Sequence, residues 1–92
     1  MKNLVWSKTF VRTFKYVVNK NPEFRFQLEE ILEQIVEDPF QQSLGSHKLK
    51  DDLLGRWSCS INYNTRILFK FVVNPELGEE EILLLTLDYR EI

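Results

Sequence analysis

One imidazole and four cations stand close together between positions 47 and 66: His47, Lys48, Lys50, Arg56 and Arg66. Residues of these types suit a phosphodiester. RNA can be cut by its own 2′-hydroxyl, which attacks the adjacent phosphorus, expels the 5′-oxygen and leaves a 2′,3′-cyclic phosphate. A protein assists by supplying a base for the hydroxyl, an acid for the leaving oxygen and cations for the charge on the phosphorane. Imidazole serves in either proton role because it titrates near neutral pH. Guanidinium stays charged and matches phosphate oxygens with a planar fork, while lysine adds a point charge. Nothing in this chemistry calls for a metal or a cofactor.

Each of these residues also has an ordinary reading. His47 is the single histidine, so a two-imidazole mechanism is ruled out and its partner must be Lys, Arg, Tyr or water. A histidine in a surface loop can equally be merely solvated. Arg66 opens an apolar strand and has two open readings: contact with phosphate in a cleft, or pairing with Glu81 or Asp88 on a neighbouring strand. Lys48 and Lys50 alternate with His47 and Leu49, so in a regular strand the lysines face away from His47. On their own they fit an edge strand protected against aggregation. Arg56 joins the lysines as a candidate for positioning RNA. Trp57 could stack a base, but it shares its face with Cys59 and Ile61 and reads more simply as core. No Gly-rich phosphate loop, paired-cysteine zinc pattern or nucleophile elbow is present.

The elements that must position these residues can be read from periodicity. Leu4-Val5-Trp6 is a short β-prone run. Ser7 is a good helix N-cap, and Phe10, Phe14, Val17 and Val18 follow at helical spacing to about Lys20. Asn21-Pro22 reads as the N-cap and first residue of a second helix, carried by Phe24, Leu28, Ile31, Leu32 and Ile35 and stopped by Asp38-Pro39. After a loop with Gly45 as its turn residue, His47 to Lys50 is a candidate short strand. Trp57 to Tyr63 alternates, Arg66 to Val73 is rich in β-branched and aromatic residues, and Asn74 to Glu79 is a polar hairpin loop. Glu81 to Leu87 is nearly all apolar and predicts a central strand buried on both faces. The fold class is therefore α+β: a two-layer domain with an N-terminal helical hairpin on a mostly antiparallel sheet of four or five strands.

Ninety-two residues make a single domain, 1–92. Net charge is −2, but it is distributed in blocks. Residues 1–20 hold five cations and no acid, residues 47–70 hold five cations against two acids, and the other two segments are acidic. A general nucleic-acid binder would be basic throughout, so any RNA contact is local. One cysteine excludes an internal disulfide and fits a reducing compartment. The absence of a membrane-length apolar run or a signal peptide points to the cytoplasm.

Taken together, the residues His47 and Leu49, Gly55, Trp57-Ser58 and Arg66-Ile67, at these spacings, resemble the RelE/StbE family of type II toxin–antitoxin toxins. This family lies within the RelE/ParE superfamily, and the YafQ- and YoeB-like branch is the most similar. The resemblance covers nearly the whole chain. It implies a metal-independent, ribosome-dependent endoribonuclease that cuts messenger RNA, and a cognate antitoxin protein as partner. By position, Arg66 matches the arginine that holds the transition-state phosphate, and His47 matches a His or Glu with an acid–base role. Lys50 matches a basic position in the same segment. Many relatives end the last strand in Gly-Thr-His or Gly-Ser-His, where this chain has Leu87-Asp88-Tyr89-Arg90. Arg90 stands at the place of that histidine, and Tyr89 and Arg90 are the candidates to complete the catalytic set. The departure leaves an alternative open: a non-enzymatic member of the fold, either a ParE-like gyrase poison or a degenerate toxin that keeps only antitoxin binding.

Overall fold

Ser7 joins the first two elements, strand β1 (Leu4–Trp6) and helix α1 (Lys8–Lys20). In the computed structural model, its backbone is extended (φ −68°, ψ 160°) and its Oγ accepts from the Phe10 N–H at 3.0 Å. This is the cap expected of serine, which satisfies one of the helix's unpaired amides. The structure describes residues 2–50, 52, 54–62 and 64–89. Arg90, Asp51 and Tyr63 lie outside the described residues.

Helix α2 (Phe24–Glu37) follows a three-residue link. It opens later than the sequence suggests. Asn21 closes α1, its N–H bonding the Val17 carbonyl, instead of capping α2. Pro22 and Glu23 then form a turn in which the N–H groups of Phe24 and Arg25 reach the carbonyls of Asn21 and Pro22. One residue cannot close one helix and cap the next with so short a link. Asp38 ends α2 as expected, with extended backbone and with its Oδ1 accepting from the Phe40 N–H. Neither helix is long and apolar enough to cross a membrane.

A short 3₁₀ turn, Gln42–Leu44, ends on Gly45 in the left-handed region at φ 58°. Four strands complete the chain: β2 (His47–Lys48), β3 (Trp57–Asn62), β4 (Thr65–Asn74) and β5 (Glu79–Tyr89). Their order in the sheet is β1-β5-β4-β3-β2. The pairs among β2 to β5 are antiparallel, and β1 lies parallel to β5. The architecture is the expected α+β domain, two helices on one mixed, mostly antiparallel five-stranded sheet.

One face of the sheet carries Cys59, Ile67, Phe69, Ile82, Leu84 and Leu87, and these pack with Phe10, Val17, Leu28, Leu32 and Ile35 of the helices. Phe10, Leu28, Ile35, Ile67, Phe69, Ile82 and Leu84 have no solvent exposure. Each such side chain contributes about 1.5–3 kcal/mol by leaving water. The expectation that β5 is buried on both faces is not met. Ile82, Leu84 and Leu87 are buried, whereas Glu81, Leu83 and Leu85 are only half-buried. Helices cover one face only, and the other stays open.

Strand β5 also contains a bulge. Leu68 pairs with Thr86 while Phe69 pairs with Leu84, so Leu85 is an extra residue without a partner across the strand. Its carbonyl accepts from Ser7 Oγ at 2.9 Å. Beyond it, the Leu87 N–H donates to Thr13 Oγ1 at 3.1 Å. Two hydroxyls of the first helical segment thereby satisfy the backbone groups that the bulge frees.

Candidate active site

Strand register settles which side chains share the open face. His47 pairs with Ser58, Ser58 with Leu68 and Leu68 with Thr86. One step along, Ser60 pairs with Arg66 and Arg66 with Asp88. Paired residues point to the same side, so His47, Ser58, Ser60, Arg66 and Asp88 all project from the face that no helix covers. His47 and Arg66 are two strands apart and two residues out of line. Standard sheet spacings put their Cα atoms roughly 12 Å apart, a span that a ribose and its phosphate can bridge between two long side chains.

The His47 ring is oriented by its own loop. Its Nδ1 lies 3.2 Å from the Gly45 carbonyl. A carbonyl only accepts, so this contact is a hydrogen bond in the tautomer that carries its proton on Nδ1, the one that leaves the Nε2 lone pair free. The left-handed backbone of Gly45 belongs to the turn that brings this carbonyl under the ring. Arg66 is half-buried at the start of β4 and makes no ion pair with any described residue. Asp88, one of its two expected bland partners, is its direct cross-strand neighbour.

The other candidates are not all brought to this face. Lys48 pairs with Trp57 and so points to the helix side at the sheet's edge. Lys50 sits in the turn after β2 and is exposed. Arg56 is held by Asp52: its Nε donates to Asp52 Oδ2 at 2.9 Å, and its backbone N–H reaches the same oxygen at 3.0 Å. That pairing, with the Leu54 N–H on Oδ1 at 3.2 Å, closes the loop before β3 and gives Arg56 a structural task. The Arg56 hydrogen bond is the main reason that the Asp52 carboxyl lies below its ordinary pKa. Tyr89 pairs with Thr65 and packs against the helix-side core, on the opposite face from Arg66.

The open face contains further polar residues that the sequence reading did not single out. Lys70 follows Arg66 and Leu68 at the strand period of two and is half-buried beside Leu83. Ser58 is 1% exposed, and its Oγ has no hydrogen-bond partner among the described residues. The two-residue period from Arg66 was the signal that could have found Lys70. Nothing in the sequence marks Ser58, because its burial comes from the third dimension. Among the described residues no three His, Cys, Asp or Glu side chains gather as a metal site.

No protein-family model matches the chain, and no curated protein matches it. Solved structures do. The YoeB/ParE toxin from Agrobacterium tumefaciens superimposes with a TM-score of 0.76 at 18% identity, covering 99% of this chain and 100% of that one. The YoeB–YefM complex from Staphylococcus aureus gives 0.69 at 23% identity over 99% of both chains. The E. coli DinJ–YafQ complex gives 0.73 at 10% identity, over 97% of this chain and 93% of that one. The chain shares the fold of these solved toxin structures. In this frame the helical hairpin occupies one side of the sheet and His47 and Arg66 the other, so the core and the candidate chemistry are separated by the thickness of the sheet.

Proposed function

We propose that this protein is the toxin of a type II toxin–antitoxin system, a ribosome-dependent endoribonuclease that cuts messenger RNA by attack of a 2′-hydroxyl on the adjacent phosphate. The observation that carries the reading is the shared open face of His47 and Arg66, on the fold of proteins whose solved structures are toxins. His47 Nε2 takes the proton of the 2′-hydroxyl, its lone pair turned outward by the Nδ1–H bond to Gly45. Arg66 holds two oxygens of the phosphorane in its fork. Lys50 and Lys70 attract the neighbouring phosphates. Arg90 is assigned a second phosphate contact by the family resemblance alone. The partner is a cognate antitoxin, as YefM is for YoeB and DinJ for YafQ in the complexes of similar fold. The site of action is cytoplasmic.

The test is in vitro translation of a defined messenger RNA with the purified protein, read by primer extension. New 5′ ends within codons, only when ribosomes are present, are expected. A folded protein that leaves the message intact overturns the reading.

One observation favours a second reading, a non-enzymatic member of the fold. Asp88 faces Arg66 across the ladder, and a carboxylate beside the phosphate-binding arginine repels RNA. A gyrase poison would block DNA supercoiling by purified gyrase. A degenerate toxin would do neither and would retain only its antitoxin.

A further inference from the structure

The link between the two helices and the turn between β3 and β4 meet at one end of the molecule. Between them lies a pocket of about 400 Å³. Asn21, Glu23, Phe24 and Gln27 line it from the helical side, and Asn62 and Tyr89 from the sheet. The sheet residues are brought together by Thr65, which pairs with Asn62 on one flank and with Tyr89 on the other. Thr65 is buried under the helices, so both neighbours sit on the helix side of the sheet. On the helical side, Asn21 closes α1, Phe24 opens α2, and Gln27 lies in the first turn of α2.

The walls are made of amides and aromatic rings. Asn62 Oδ1 accepts from the Asn64 N–H at 3.1 Å, which fixes the sense of that amide and leaves its Nδ2 as a donor. The side-chain amides of Asn21 and Gln27 bond to no described residue. Phe24 and Tyr89 are half-buried against the core and give the pocket aromatic surface. Glu23 is the single charged residue in the described lining. With no cation there, the pocket is poorly suited to a phosphate or another anion. A carboxamide carries a donor and an acceptor on one planar edge, and Asn and Gln read adenine with the two together. A carboxylate accepts from an exocyclic amine, whereas the acceptor edge of guanine calls for Arg or Lys.

We propose that this pocket takes an unpaired adenine base, stacked on the aromatic surface of Phe24 and Tyr89 and read by the amides of Gln27 and Asn62, with Glu23 accepting from the exocyclic amine. Tyr89 contributes its ring and not its hydroxyl. Arg66 follows Thr65 in the chain, and its row, Ser60–Arg66–Asp88, is the next one along the sheet, on the open face. The base pocket and the phosphate-binding arginine are therefore neighbours around one end of the sheet. The adenine belongs to the single strand whose phosphate Arg66 holds, and the inference rests on the nuclease reading for RNA as the source of the base only. A strand with adenine beside that phosphate is held at two places, which makes the pocket a determinant of sequence preference.

Amide chemical shifts of the full chain are followed during titration with adenosine, guanosine, cytidine, uridine and methyl glucoside, all without ribosomes. Adenosine should give saturable shifts at Asn21, Gln27, Asn62 and Tyr89, with an affinity about fivefold or more above the other nucleosides and the sugar, the discrimination expected of one bidentate amide contact. Gln27→Ala, at an exposed helix position and so harmless to folding, should weaken adenosine binding about fivefold or more. Tyr89→Phe should leave it in place. Two further arms separate the sources of the base. Hexa-adenylate should bind more tightly than adenosine, with the gain lost at high salt because it comes from phosphates, whereas tighter binding of ATP than of hexa-adenylate would make a free nucleotide the ligand and overturn the RNA assignment. No saturable adenosine binding, equal binding of all the nucleosides or of the glucoside, shifts confined to the Arg66 face, or undiminished affinity in Gln27→Ala would each overturn the proposal. A protein that cuts messages but ignores adenosine, or binds adenosine and cuts nothing, shows which of the two readings has failed.

Discussion

Arg66 and Asp88 stand directly opposite each other on β4 and β5, on the face of the sheet that no helix covers. The arginine proposed to grip phosphate therefore has a carboxylate as its cross-strand neighbour. Replacing Asp88 with Asn removes that negative charge. Affinity for a short single-stranded RNA should rise at low salt, and the gain should fade at high salt as the charges are screened. The stability cost should stay below about 1 kcal/mol, the range of a cross-strand charge pair. Titration of RNA at two ionic strengths, with urea denaturation of both proteins, checks both parts.

The shared face of His47 and Arg66 makes a sharper prediction. Arg66→Ala should lower ribosome-dependent cleavage about a hundred- to a thousandfold, and His47→Ala about a hundredfold or more. Arg66→Lys should restore only part of the loss, since a point charge replaces a planar fork. Tyr89→Phe should cleave close to the parent rate, because its side chain packs on the helix side. Primer extension over a time course gives all four rates, and a Tyr89→Phe protein as impaired as Arg66→Ala would sink the arrangement.

Asp52 predicts an acid limb in stability. The Arg56 side chain holds its carboxyl below the ordinary value of 3.8, helped by the N–H groups of Leu54 and Arg56, while burial works in the other direction. The folded value is depressed, so the carboxylate stabilises the fold above the unfolded value and that advantage is lost as pH falls through the folded one. Denaturation midpoints of the parent and of Asp52→Asn, followed from neutrality to about pH 2, should differ most above 3.8 and converge in acid.

Cys59 is fully buried between the strands and the helices, and burial pushes its thiol up to about 11. The thiolate is the reactive form. An aromatic disulfide reagent at pH 8 should therefore label the native protein slowly and the denatured protein at once. Rapid labelling under native conditions would show that β3 opens away from the helices.

Much of this was legible in the chain. The period of 3.6 after Ser7 gave α1, and Asp38-Pro39 gave the end of α2. Alternation through Trp57, Cys59 and Ile61 gave the core face of β3. The open face of β5 was misread because the run Ile82 to Leu87 is apolar at every position but one, and composition alone does not show that only one layer of helices is available to cover it. The face of Tyr89 was hidden by the bulge. Strict alternation from Ile82 and Leu84 would send Thr86 and Asp88 into the core and Tyr89 to the open side. The extra residue Leu85 reverses this, bringing Leu87 and Tyr89 to the helices. No local signal announces such a residue, since what stabilises it is the hydroxyl of Ser7, far away in sequence. Arg56 was similarly ambiguous. A cation next to a glycine turn reads as available for RNA until Asp52 is seen to hold it.

The pairing of β1 with β5 has a consequence for how the molecule is made. Leu4 to Trp6 find their partners at Ile82 to Leu84, and the Ser7 hydroxyl finds its acceptor at Leu85. While a ribosome is still building the middle of the chain, the first strand has nothing to lie against. Closing the sheet waits on one of the most distant contacts in the sequence, and contacts of that kind slow folding. A chain interrupted before Ile82 would carry both His47 and Arg66 but lack the strand that holds β1 and β4 in one sheet, so an unfinished copy would be unable to assemble the face on which those two residues meet.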